Sequence, residues 1–224
     1  NAVRKSGIDR KEVFLVSKVW ISNYGYEKAK ASIDESLRRL QTDYIDLMLL
    51  HQPFCDRYGA YRALEEAYKE GKLRAIGVSN FYPDHFIDIA SNMAIVPAVN
   101  QVETHVFDQQ IEPQHIMEEF GTRIMSWAPF AEGRNGFFTN PMLAEIGHKY
   151  GKSVAQVALR WLIQRGVVII PKSTHIERMR QNIDIFDFTL SDEDMASIAT
   201  LDTGRSLFFD HHDAETARMF MGWR

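Results

Sequence analysis

Six short apolar runs, rich in β-branched residues, recur along this chain with helical patterns between them. They are Val13–Val16, Tyr44–Leu50, Ala75–Val78, Ala98–Val102, Ile124–Trp127 and Val167–Ile170. Most are too continuous for a strand with one wet face, which alternates apolar and polar residues. They suit parallel strands buried on both sides. Between them Ile33, Leu37 and Leu40 keep helical spacing, as do Tyr61, Leu64 and Ala67. Val154, Val157, Ala158, Trp161 and Leu162 form the clearest apolar stripe. Ser191 with Asp194 predicts a capped helix start, with Met195, Ile198 and Leu201 behind it.

Strand followed by helix, repeated, implies a parallel sheet with right-handed crossovers. An open doubly wound sheet and a closed (β/α)8 TIM barrel both have that rhythm. The strand starts lie about 31 residues apart, and eight such units need roughly 250 residues, the usual barrel size. Only six units are visible in the 224 residues present. The opening Asn1-Ala2-Val3-Arg4-Lys5-Ser6-Gly7 reads as a last helical turn closed by glycine. The expectation is an α/β fold, a (β/α)8 barrel with about six of its βα units here and two upstream of Asn1. Six strands do not close an eight-stranded barrel, so two ladder edges should stay open. No linker interrupts the rhythm, so residues 1–224 read as a single domain.

Composition narrows the function. Charged residues number 26 Lys and Arg against 30 Asp and Glu, a net −4, which argues against a nucleic-acid partner. No run approaches the ~18 apolar residues of a membrane span. The lone cysteine, Cys55, cannot form an internal disulfide and suits a reducing cytoplasm. A Rossmann G-x-G-x-x-G is absent. Gly147 to Ser153 resembles a P-loop, but three residues separate its glycines where four are required, so Ser153 reads as a helix cap. No H-E-x-x-H occurs, the His211-His212 pair lies in a C-terminal tail, and no metal is expected. Of two carboxylates a glycosidase needs, only Glu103 has a suitable position.

Barrel chemistry sits at the C-terminal ends of the strands, and here all six runs finish in polar or aromatic groups. In order they give Ser17-Lys18-Val19-Trp20, His51-Gln52-Pro53, Ser79-Asn80-Phe81, Asn100-Gln101-Val102-Glu103, Ser126-Trp127-Ala128-Pro129 and Pro171-Lys172-Ser173-Thr174. Singly, each has an ordinary reading as a solvated charge, a satisfied core histidine, a helix cap or packing. A stabilising scaffold gives no reason for the six together.

These segments resemble, in order along essentially the whole chain, the aldo-keto reductases, barrel enzymes that reduce carbonyls with NADPH. The match rests on Lys18 in Ser-Lys-Val-Trp, His51 in Leu-Leu-His-Gln-Pro, Gly77-Val78-Ser79-Asn80-Phe81, Asn100-Gln101-Val102-Glu103, Trp127-Ala128-Pro129 and Pro171-Lys172-Ser173-Thr174. Glu177-Arg178 and Gln181-Asn182 follow the last of these. The resemblance implies that Ser79, Asn80 and Gln101 bind the nicotinamide carboxamide and that Trp127 stacks on its ring. It implies that Lys172, Ser173 and Arg178 hold the adenosine 2′-phosphate, with Gln181 and Asn182 near the adenine, which favours NADP over NAD. It assigns Lys18 and His51 to a catalytic set completed by an Asp and a Tyr that have no counterpart here; in the family both lie upstream of this chain's first residue. Trp20 and the tail from Leu207-Phe208-Phe209 to Trp223 should wall a small-molecule carbonyl substrate, with residues 132–140 as a lid over the cofactor. A cytoplasmic monomer without nucleic-acid or membrane partners completes this reading. Two alternatives stay open, a nucleotide-binding sensor barrel and an inactive fragment.

Overall fold

The computed structural model describes residues 2–223, and the chain divides into two units. The first runs to Asn100 and takes in Glu119–Thr122 and the chain from His211 onward. It opens with α1 (Ala2–Ser6), closed by Gly7 at φ +73°, as the sequence implies. Then come β1 (Val16–Val19), α2 (Tyr26–Leu40), β2 (Leu47–Leu50), α3 (Arg57–Lys69), β3 (Ile76–Ser79) and α4 (Pro83–Asn92). The strands pair in parallel, with Lys18 opposite Leu49 and Leu49 opposite Gly77. Every residue of β2 and β3 is buried. A strand dry on both faces explains why its sequence does not alternate.

The first strand lies three residues later than its apolar run implies. Val13 closes a short 3-10 turn at Arg10–Glu12. The Leu15 N–H donates to the Asp46 carboxylate (2.9 Å) rather than to a neighbouring strand. Arg10 donates to the same carboxylate oxygen (2.8 Å). Phe14, the most apolar residue of the run, is 67% exposed. At the centre of β3, Gly77 permits a close approach of backbones. A Cβ there would stand 2.4 Å from the Val99 carbonyl oxygen and 2.8 Å from Leu49 Cδ2.

The second unit comprises Gln101–Glu118 and Arg123–Asp210. Its elements are the last three residues of β4 (Val99–Glu103), α5 (Ile111–Glu119), β5 (Arg123–Trp127), α6 (Pro141–Tyr150), α7 (Val154–Gln164), β6 (Val168–Ile169), α8 (Ile176–Ile183) and α9 (Asp192–Ala199). β5 and β6 pair in parallel, Met125 opposite Val168. The sixth strand keeps only two of the four residues of its apolar run, and Ile170 is 46% exposed. Ser153 caps α7 in a reciprocal box with Gln156, while the Lys152 ammonium is held by Asp184 and Asp187 (2.8 Å each). Neither residue serves a P-loop. Ser191 caps α9 through the Asp194 N–H (3.1 Å).

The strand order is β1-β2-β3-β4-β5-β6, sequential as in a (β/α)8 wall. Among the described residues no helix is long and apolar enough to cross a membrane.

Candidate functional site

In the first unit the expected residues gather at the C-terminal ends of β1, β2 and β3. Lys18 is the penultimate residue of β1, His51 follows β2 directly, and Ser79 ends β3. Burial holds the Lys18 ammonium below its usual pKa, and among the described residues no carboxylate pairs with it. His51 is pushed down to about 4, first by burial and then by the charge of Lys18. Its ring is therefore neutral at pH 7, and it meets Trp20 edge-on, centroids 4.9 Å apart. Asn80 takes a left-handed backbone, φ +63°, which asparagine tolerates better than most residues. Its Nδ2 donates to the His51 carbonyl oxygen (3.0 Å), tying the end of one strand to the next.

Two features here carry no signal in the sequence. His211 is buried, with Nε2 3.0 Å from Gln52 Oε1, and its ring stacks on Phe220 at 5.6 Å. Trp20 stacks on Trp223 at 6.2 Å, so the two expected walls, Trp20 and the tail, are in contact. Tyr24 is a tyrosine close to these groups by sequence. Its hydroxyl is buried, donates to the Gln52 carbonyl (2.7 Å) and accepts from the Gln52 N–H (3.0 Å). Burial drives its pKa far above the phenol range. Its proton is held in the bond to that carbonyl.

In the second unit, Lys172, Ser173, Arg178, Gln181 and Asn182 line one cleft of about 600 Å³ with Phe130, Phe138 and the start of α7. Lys172 and Ser173 follow β6, and the other three lie on α8. Arg180, on the same helix, pairs with Glu177 (2.7 Å). Among the described residues, Lys172 and Arg178 have no ion pair. Two unneutralised cations beside a serine hydroxyl make a receptive place for a phosphate group. The donor set fits the 2′-phosphate of NADP.

Gln101 lies within β4 and is buried, and Trp127 ends β5. Gln101 Nε2 approaches Met125 Sδ at 3.1 Å. The Trp127 ring meets Phe208 at 5.1 Å and Phe209 at 6.2 Å. The buried Glu103 carboxylate is no glycosidase acid: it accepts from the Ser206 hydroxyl, the Leu207 N–H (2.9 Å) and His105 Nε2 (2.9 Å). His105 Nδ1 accepts from the N–H of Phe107 and of Asp108, which leaves Nε2 to donate to Glu103. Asp108 is pushed up to about 6 by burial and then by the charge of Glu103. Among the described residues no cluster of three His, Cys, Asp or Glu could hold a metal ion.

The segment Ala131–Thr139, at the place of the expected lid, is a kinked run of 3-10 turns. Ala131, Glu132 and Asn135 all have φ between +49° and +52°, a left-handed conformation that side chains resist. Buried Ala131 and Phe137 hold the run down. Arg134 projects from it, with the guanidinium 4.0 Å above the Phe208 ring and Nη1 donating to the Leu207 carbonyl.

A model of the Aldo/keto reductase family matches residues 1–203. Glyoxal reductase of Bacillus subtilis is 46% identical over 200 residues, 89% of this chain and 72% of that protein. The crystal structure of an aldo-keto reductase from a Medee basin deep-sea metagenome library superposes with a TM-score of 0.92 at 40% identity, covering 95% of this chain and 80% of that one. A Bombyx mori aldo-keto reductase in complex with NADP gives 0.88 at 31% identity, covering 97% and 75%. With that match over most of its length, and a sequential wall of strands carrying polar groups at their ends, this chain belongs to the aldo/keto reductase family of oxidoreductases.

Proposed function

We propose that this protein reduces an aldehyde or ketone to the alcohol with NADPH. The observation that carries the reading is the gathering of Lys172, Ser173, Arg178, Gln181 and Asn182 in one cleft with two unneutralised cations. When bound, NADPH supplies the hydride that the carbonyl carbon accepts. Arg178 and Lys172 neutralise the 2′-phosphate, the first as a planar fork and the second as a point charge. Ser79, Asn80 and Gln101 offer the donors and acceptors that a carboxamide needs. Trp127 offers a ring face. His51, neutral at pH 7, can donate a hydrogen bond to a carbonyl oxygen without bringing a charge. Lys18 lowers the pKa of a phenol beside it. The proton reaching the carbonyl oxygen comes from a tyrosine hydroxyl, and Tyr24, committed to Gln52, does not supply it. The same reading takes residues 1–224 as part of one barrel domain in a cytoplasmic monomer, its partner a small carbonyl compound rather than a nucleic acid or a membrane.

The test is NADPH oxidation with glyoxal, the substrate class that names the Bacillus relative, alongside direct titration of NADPH and NADH. Binding with carbonyl-dependent turnover and a preference for NADPH is the expected result. Tight binding without turnover on any aldehyde or ketone favours the sensor. Failure to bind either nucleotide overturns the reading.

A further inference from the structure

The cleft and the Trp127 ring are joined by a continuous set of contacts inside the second unit. Phe130 and Phe138 stand at the two ends of the kinked run and line the cleft. Phe137 packs against both, at 5.7 and 5.0 Å between centroids, and is itself fully buried. From the middle of the run, Arg134 reaches the Leu207 carbonyl and covers Phe208. Phe208 in turn faces Trp127. The far side of this segment is fixed by Glu103, which accepts from Ser206 and from the Leu207 N–H, while Ser206 Oγ accepts from the N–H of Phe208 and Phe209 (3.0 Å each).

The segment 206–209 is therefore clamped between a buried partner and an exposed one. Glu103 is buried on a strand; Arg134 is exposed on a run whose left-handed residues persist only while neighbouring contacts hold them. A ligand packing against Phe130 and Phe138 shifts or stiffens that run, and the guanidinium carries the effect to Leu207 and Phe208. We propose that Arg134 is a positioning residue that couples occupancy of the cleft to the ordering of residues 206–209, the wall beside Trp127. The proposal rests on the reading of the cleft as the NADP site.

Hydrogen exchange of the purified protein with and without NADP+ tests it, read separately in peptides spanning 172–182 and 204–210. In the wild type, NADP+ slows exchange in both. In Arg134→Met, which keeps the apolar stem but loses the charge and its hydrogen bond, protection at 172–182 persists. Protection at 204–210 falls by about tenfold, the scale of one charge-assisted hydrogen bond. Arg134→Lys, retaining the charge over Phe208, should fall between the two. Full NADP+-dependent protection at 204–210 in Arg134→Met overturns the coupling, as does protection confined to 172–182 in the wild type. No protection at 172–182 in the wild type overturns the nucleotide reading itself, and the coupling with it.

Discussion

The two groups of candidate residues are built in opposite ways. Lys18, His51, Ser79 and Asn80 sit on strand ends of the first unit, half-buried or buried, with their backbones bonded from strand to strand. Lys172, Arg178 and Gln181 sit on a loop and a helix of the second unit, exposed, with their cations unpaired. Proton chemistry depends on a perturbed pKa, and burial is what perturbs Lys18 and His51. Phosphate capture depends on charges that hold nothing else until the ligand comes. A rigid, dry group is tuned; a wet, unpaired one is available.

The largest effect should separate these roles. In the full-length protein, where the resemblance places the tyrosine, Lys18→Met is expected to lower kcat by at least about a hundredfold, the usual scale of acid–base assistance, with the NADPH Kd nearly unchanged. Stopped-flow turnover and fluorescence titration measure the two; a weakened Kd with normal kcat would erase the distinction drawn above. Arg178→Ala is expected to do the reverse, raising the NADPH Kd roughly ten- to a hundredfold while leaving NADH almost untouched. Equal losses for both nucleotides would mean that the guanidinium does not meet the 2′-phosphate.

Acid should treat the two units differently. His51 titrates near 4 when folded, against 6.5 when unfolded. Between those values the unfolded chain binds the proton and the folded one does not, so this group's contribution falls as pH drops through that window. Asp108 has the opposite sign: its folded pKa of about 6 lies above the unfolded 3.8, so its contribution is present at low pH and lost as pH rises. Thermal scans from pH 4 to 7 should show His51→Gln flattening the loss on acidification and Asp108→Asn raising Tm at pH 7 by a few degrees. Curves parallel to the wild type for both would refute the assignments. The smallest effect belongs to Ser153, which lines the cleft yet is occupied as a cap. Ser153→Ala should cost about 1 kcal/mol of stability with an unchanged NADPH Kd.

How much of this was legible in the sequence depended on distance along the chain. The five residues that the resemblance assigns to the cofactor, Lys172, Ser173, Arg178, Gln181 and Asn182, share one cleft because a loop and one helix place them together. The strand rhythm could be read because β2 and β3 are dry on both faces and therefore continuous. β1 was misplaced because Asp46, 31 positions along the chain from Leu15, captures the backbone just before it, with Arg10 paired to the same carboxylate. The clamp on residues 206–209 had no local sign at all. Glu103 and Ser206 lie 103 positions apart, Arg134 and Leu207 73. Nor does any residue type announce the left-handed alanine and glutamate of the kinked run, which tertiary packing imposes on them.

Gly77 sets a boundary on how this site can diverge. What blocks a side chain there is first a neighbouring backbone oxygen, at 2.4 Å, and only then the movable Leu49. No second substitution can make room by trimming a neighbour, so the position has no stepwise route to another residue. Ser79, two positions later, escapes that backbone clash, whereas Asn80, at φ +63°, is held to residues that tolerate a left-handed backbone. A lineage adapting this chain to a new carbonyl compound could rewrite the groups at the strand end, but it would inherit the height at which the strand presents them.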